Sequence, residues 1–168
     1  MRIAFIAFLS LALAAPVAAA NAPHIRIASF EQLAKPLPLP YDEQANARAV
    51  VAAAKARARA RHKLLLIDLG GNWCLDCRLL AGTMDLPELR KFVASKYEIA
   101  VVDVGRFDKN LDIPAHYGIT NRLEGVPSVL IVDPRTDRLL NAGHTAALAD
   151  ARSMSPQALA DWLASWTK

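Results

Sequence analysis

Continuous apolar runs and helical stripes alternate along the chain. Lys63 to Leu69 is an unbroken run interrupted only by Asp68, the pattern of a strand buried on both faces, and Gly70-Gly71 stop it. Glu98 to Val104 and Pro127 to Val132 repeat the pattern, and Arg138 to Asn141 follows a turn at Asp133 to Asp137. Between the strands the period lengthens. Glu43 to Arg61 is rich in alanine and arginine, both good helix formers, with Asp42 placed to cap it. A second helix is expected from Cys74 through Leu80, weakened at Gly82. Asp85 and Glu88 have capping-box spacing, with Pro87 in the first turn of a continuation to Tyr97. Ile113 to Tyr117 makes at most a short helix, ended by Gly118. Ser155 caps the last helix, whose Leu159, Trp162, Leu163 and Trp166 form a core-facing stripe. Near the start, His24 to Phe30 alternates loosely like an edge strand. Lys35-Pro36-Leu37-Pro38-Leu39-Pro40 reads as an extended connector, because alternate prolines suit neither a helix nor a central strand.

The first twenty residues follow a different logic. Met1-Arg2 is a positive start, Ile3 to Ala15 is apolar apart from Ser10, and Ala18 and Ala20 put small residues at −3 and −1. This is the pattern of a secretory signal peptide cleaved after Ala20, and the run is short for an uncleaved membrane anchor. The remainder is then expected outside the cytoplasm, in the periplasm, where thiols tend to be oxidised and no stable membrane insertion remains. The chain has 168 residues, 54% hydrophobic and 21% charged, enough apolar material for one core and too much for a disordered chain. Its net charge of +4 is mild and spread along the sequence, so no nucleic-acid partner is expected. The basic residues of the alanine-rich helix, Arg48, Lys55, Arg57, Arg59 and Arg61, spread over several faces and read as a solvated surface.

The chemistry lies in Trp73-Cys74-Leu75-Asp76-Cys77. The two cysteines stand at the start of a predicted helix, where unpaired N–H groups and positive potential stabilise a thiolate. A thiolate on Cys74 is a nucleophile toward disulfides, and Cys77, one turn deeper, can attack the resulting mixed disulfide. Other readings compete. A structural disulfide would close a very small loop and constrain little of the unfolded chain. A metal site would have two cysteine ligands and four histidines, His24, His62, His116 and His144, without paired spacing. Haem attachment requires histidine at position 78, which is arginine.

From Leu65 to Leu80 the chain resembles the thioredoxin superfamily: an apolar strand, an acid, then W-C-x-x-C opening a helix. Asp68 lies six residues before Cys74, where the family places its buried acid. Gly125-Val126-Pro127 resembles its cis-proline loop, Tyr117-Gly118-Ile119 the stretch before that loop, Gly143 a glycine near the active face, and Leu159 to Trp166 the final helix. The resemblance covers Lys63 to Trp166. It implies an α/β thioredoxin fold: a central mixed sheet of four or five strands flanked by helices, here with an extra N-terminal helix. The expected organisation is a signal peptide over 1–20, an extended segment over 21–41 and a thioredoxin-like domain over 42–168. The long helix before the active-site strand is more like secreted, disulfide-isomerase-like members than minimal thioredoxin.

The resemblance implies a thiol–disulfide oxidoreductase, a reductase or isomerase of protein disulfides, needing no cofactor or metal. A dithiol oxidase or a metal-binding thioredoxin-like module are its alternatives. Cys74 is expected to be the exposed nucleophile and Cys77 the buried resolving thiol. Asp68, raised by desolvation, would exchange a proton with Cys77. Trp73 would shield the pair, and Val126 and a cis Pro127 would offer backbone to an extended substrate. Four features depart from the family. Gly82 replaces a kinking proline, Asp103 falls near the usual position of a lysine beside the buried acid, and Thr120–Glu124 and His144–Met154 are insertions expected to rim the site. Asp76 puts a negative charge near Cys74, expected to raise its pKa against the helix-terminus effect while Arg78 swings into water. That predicts a couple at ~−270 to −200 mV, which in an oxidising compartment implies a membrane thiol-reductant partner.

Overall fold

The computed structural model describes residues 21–167. The predicted signal peptide lies outside the described residues. The elements run α1 (Ala47–Ala60), β1 (Leu64–Gly70), α2 (Leu75–Met84), α3 (Pro87–Lys96), β2 (Tyr97–Asp103), α4 (Asp112–His116), β3 (Ser128–Asp133), β4 (Arg138–Leu139) and α5 (Pro156–Ser165). The four strands make one mixed sheet in the order β2-β1-β3-β4, with β1 parallel to β2 and antiparallel to β3. This is the thioredoxin fold that the resemblance implied.

β1 is central, and its unbroken apolar run follows from that position. Leu65, Ile67 and Leu69 pack with Ala54 and Ala58 of α1 on one face. Leu66 packs with Leu89 and Val93 of α3 and Leu159 and Leu163 of α5 on the other. Side chains alternate along a strand, so Asp68 falls on the Leu66 face. It is wholly buried there. The apolar stripe of α5 packs as expected, under a cap in which Ser155 accepts the Ala158 N–H at 3.1 Å.

Several local expectations are corrected. His24 to Phe30 forms no strand. Its backbone is satisfied by side chains instead: the Ile25 N–H donates to Gln157 and the Arg26 N–H to Glu88. A single 3-10 turn follows at Phe30–Gln32. The cap of α1 is Asn46, which accepts the Ala49 N–H, whereas Asp42 closes a tight turn on Gln44. Asp85 and Glu88 form no capping box. Asp85 ends α2, Leu86 precedes α3, and Glu88 is engaged by Arg26. Gly82 sits within a continuous α2, where an added methyl group would press on Leu33 of the N-terminal segment. β4 stops at Leu139, since the buried Asn141 turns its side chain onto the Ile131 N–H and the Val129 carbonyl in place of backbone pairing.

The basic face of α1 is not merely solvated. Arg57, Arg61 and Lys63 converge on Glu98 of β2, and Lys55 on Asp137. The extended connector crosses α2: Leu33 and Leu37 pack on Leu79, and Arg78 donates to the carbonyls of Pro38 and Leu37. Arg78 is therefore anchored, contrary to the expectation that it swings into water.

Candidate redox site

Cys74 is the N-cap of α2, and its Sγ accepts the Cys77 N–H at 3.1 Å. A helix leaves its first N–H groups without internal partners, and here the sulfur takes one of them. Both cysteines are free thiols. The Cys74 thiol is lowered, first by the hydrogen bond from the Cys77 side chain and then by backbone N–H groups, against burial and the charge of Asp76. Cys77 is raised strongly by that same bond and by burial. The pair therefore divides into a thiolate on Cys74 and a protonated thiol on Cys77, the division that nucleophilic attack followed by resolution requires. Cys74 is less exposed than expected, at 5% against 0% for Cys77.

Asp68 lies beneath the pair. Burial raises its carboxyl from 3.8 to about 7, with the Tyr41 bond pulling the other way. Its Oδ1 accepts the Tyr41 hydroxyl at 2.9 Å, while its Oδ2 is buried with no partner. Tyr41 escaped the sequence reading. It is fixed by a reciprocal clamp, its N–H donating to the Asn72 side chain and its carbonyl accepting from it. Its own ionisation is suppressed by burial and by Asp68 and Cys77. Its hydroxyl lies against Gly70, as does the Cys77 sulfur, so the three side chains meet where β1 ends. No local signal pointed to it: the alternate prolines mark an extended connector but not where it leads. Asp103 caps Gly105 and meets Lys109 at 3.4 Å. The polar partner of the buried acid is thus a tyrosine from the N-terminal segment.

The Val126–Pro127 peptide is cis, and the Val126 carbonyl oxygen lies 3.3 Å from the Cys74 sulfur. Trp73 is 43% exposed, its indole N–H held by the Gly105 carbonyl. The structure thus brings Asp68, Trp73, Cys74, Cys77, Val126 and Pro127 into one region.

The family model for thioredoxin-like proteins matches residues 46–134, which include β1, the cysteine pair and β3. The chain belongs to the thioredoxin-like family. Among solved structures it is similar to the disulphide isomerase from Xylella fastidiosa Temecula1, at 36% identity and a TM-score of 0.70, over 76% of this chain and 96% of that one. The C-terminal domain of Neisseria meningitidis DsbD is more remote, at 22% identity and a TM-score of 0.41, over 57% and 83% of the two chains. No curated protein matches the chain. An intact Cys74-x-x-Cys77 pair with this geometry, in a thioredoxin-like fold, supports thiol–disulfide oxidoreductase chemistry in general.

One electrostatic expectation holds in sign but not in outcome: Asp76 raises the Cys74 thiol without prevailing over the bonds that lower it. Asp76 is only 5% exposed, and Arg152 from the His144–Met154 insertion binds it through its backbone N–H at 2.9 Å and its guanidinium on both oxygens. The charge of Asp76, bound by this bidentate pairing, still raises the Cys74 thiol, but the hydrogen bonds from Cys77 outweigh it and the thiol ends below its ordinary value. The insertion is also more than a rim loop. Thr145 accepts the Val129 N–H, and Leu148 and Ala151 are fully buried.

Proposed function

We propose that this thioredoxin-like protein is a periplasmic isomerase or reductase of protein disulfides. The observation that carries the reading is the N-cap placement of Cys74, which favours the thiolate on Cys74 and leaves the proton on Cys77. The Cys74 thiolate attacks one sulfur of a client disulfide. A bond forms between Cys74 and that sulfur, the client S–S bond breaks, and the other client sulfur leaves as a thiolate. In isomerisation that client thiolate attacks another client disulfide, and a further client thiol releases Cys74. In reduction Cys77 attacks the Cys74 sulfur, its proton passing to Asp68: the Cys74–Cys77 bond forms, the bond between Cys74 and the client sulfur breaks, and the client leaves with both sulfurs reduced, carrying two electrons. Asp68 suits this step because its Oδ2 is unpartnered and its carboxyl is poised near neutrality.

Recycling the Cys74–Cys77 disulfide requires a dithiol reductant, which we place in the membrane because the N-terminal pattern of residues 1–20 directs the chain across it. The similarity to a disulphide isomerase supports the isomerase form. The lowering of the Cys74 thiol weakens the ground for a strongly reducing couple, so a potential nearer the isomerase value of about −180 mV than the ~−270 to −200 mV read from the sequence is expected. Equilibration of the pair against glutathione buffers, with recovery of a scrambled multi-disulfide protein measured in parallel, tests this. A potential near −120 mV with no recovery of scrambled substrate would favour the oxidase instead.

A further inference from the structure

Beside Trp73 the surface dips into a hollow of about 290 Å³ between the loop after β2 and the segment leading to Val126. Arg106, Phe107, Leu111, Ile119, Arg122 and Leu123 line it, and no carboxylate does. Phe107 has φ of +69°, a left-handed conformation that bulky side chains rarely adopt, and such departures cluster at functional surfaces. Its ring lies 6.1 Å from Trp73 in an edge contact. The Arg106 guanidinium stacks 4.4 Å above Trp73, and that of Arg122 lies 4.6 Å above Phe107. Stacking holds a guanidinium in place and leaves its N–H edge open for a carboxylate.

Three nearby acids are engaged elsewhere, while Glu124, two residues from Arg122, is exposed and adds a charge of its own. Asp108 accepts the backbone N–H of Arg106, Asp112 is paired with Arg48, and Asp103 with Lys109. Among the described residues neither guanidinium has a carboxylate partner. The hollow is joined to the chemistry at both ends: Trp73 precedes Cys74, and Leu123 lies three residues before Val126, whose carbonyl meets the Cys74 thiol.

We propose that this hollow docks an acidic segment of the client flanking the disulfide that Cys74 attacks, with carboxylates on Arg106 and Arg122 and an apolar side chain on Phe107 and Leu111. The proposal rests on the reading of the protein as an oxidoreductase of protein disulfides. The Thr120–Glu124 insertion then sets client choice, because it supplies Arg122 and Leu123.

The test uses two peptides, each carrying one cysteine as a mixed disulfide with a chromogenic aromatic thiol. They differ only in three flanking residues, glutamate in one and lysine in the other. Attack by the reduced protein releases the aromatic thiolate, and the ratio of the two rates is compared within each protein, so any uniform change in thiol reactivity cancels. The wild-type protein is expected to favour the acidic peptide about tenfold at low ionic strength, less as salt rises. Arg106→Gln with Arg122→Gln should bring the ratio close to one, whereas the remote pair Arg135→Gln with Arg138→Gln should preserve it. Equal wild-type rates, a preference surviving in the first double variant, or an equal loss in the remote one would each overturn the docking proposal. Failure of the wild-type protein to release thiol from either peptide, or from a small symmetrical disulfide, would instead defeat the oxidoreductase reading beneath it.

Discussion

Replacing Asp68 by asparagine should make the reduced protein more stable at neutral and alkaline pH, by an amount set by the buried carboxyl. Asparagine has nearly the same shape and can still accept the Tyr41 hydroxyl, but it never ionises. In the folded protein the carboxyl sits at about 7 against an ordinary 3.8. A difference of about 3 units at 1.36 kcal/mol per unit corresponds to about 4 kcal/mol. The sign follows from linkage. Below pH 3.8 the acid is protonated in both states and contributes no penalty. Between 3.8 and about 7 the unfolded chain ionises and the folded one does not, so stability falls as pH rises. Above 7 the penalty is complete. Relaxation around the ionised group reduces it, leaving roughly 2–4 kcal/mol to be measured. Urea unfolding of the reduced wild-type protein and of Asp68→Asn, from pH 4 to pH 8, reads it directly. The difference should be small at pH 4 and favour the variant increasingly toward pH 8, the titration of the cysteines being common to both. Parallel pH profiles would refute the assignment of Asp68 as a buried acid held near neutrality.

The other expectations concern the same cluster. Tyr41→Phe removes the one bond that favours the Asp68 carboxylate. The pH midpoint for resolution of a Cys74 mixed disulfide should therefore rise by about 0.7 unit, the worth of one hydrogen bond, and an unmoved midpoint would make the hydroxyl a bystander. Arg152→Ala leaves Asp76 charged and unpaired near Cys74. Alkylation by iodoacetamide should then show a Cys74 midpoint higher by roughly half a unit or more, and an unchanged midpoint would make the pair purely structural. Gly70→Ala places a methyl group on the Tyr41 hydroxyl and the Cys77 sulfur. Thermal unfolding should show a loss of about 1–3 kcal/mol, and wild-type stability would mean that the cluster yields more than its packing suggests.

The strands, the last helix and the redox pair were legible because each depends on local pattern. The apolar run of β1 marks a strand covered on both faces, and two cysteines at a helix start carry their chemistry with them. What was hidden depends on residues distant in sequence. Asp76 read as a charge opposing the thiolate because its partner, Arg152, lies 76 positions away in an insertion with no periodic signal. Tyr41 stands 27 positions from Asp68, at the end of a proline-rich segment whose path nothing local specifies. The apparent strand at His24 to Phe30 failed because alternation is a weak signal where side chains such as Gln157 and Glu88 can satisfy the backbone. Capping residues were misplaced within a turn or so for a related reason: Asp42, Asn46, Asp85 and Glu88 all have capping chemistry, and packing decides which is used.

The most direct test of the central claim is to trap the mixed disulfide. Cys77→Ser and Cys74→Ser proteins, reduced and mixed with a disulfide-bonded client, are quenched with acid and resolved on a non-reducing gel. With Cys74 as the attacking thiolate and Cys77 as the resolving thiol, Cys77→Ser should accumulate a covalent client complex that dithiothreitol releases, and Cys74→Ser should accumulate none. Equal trapping by both variants, or trapping by Cys74→Ser alone, would contradict the assignment.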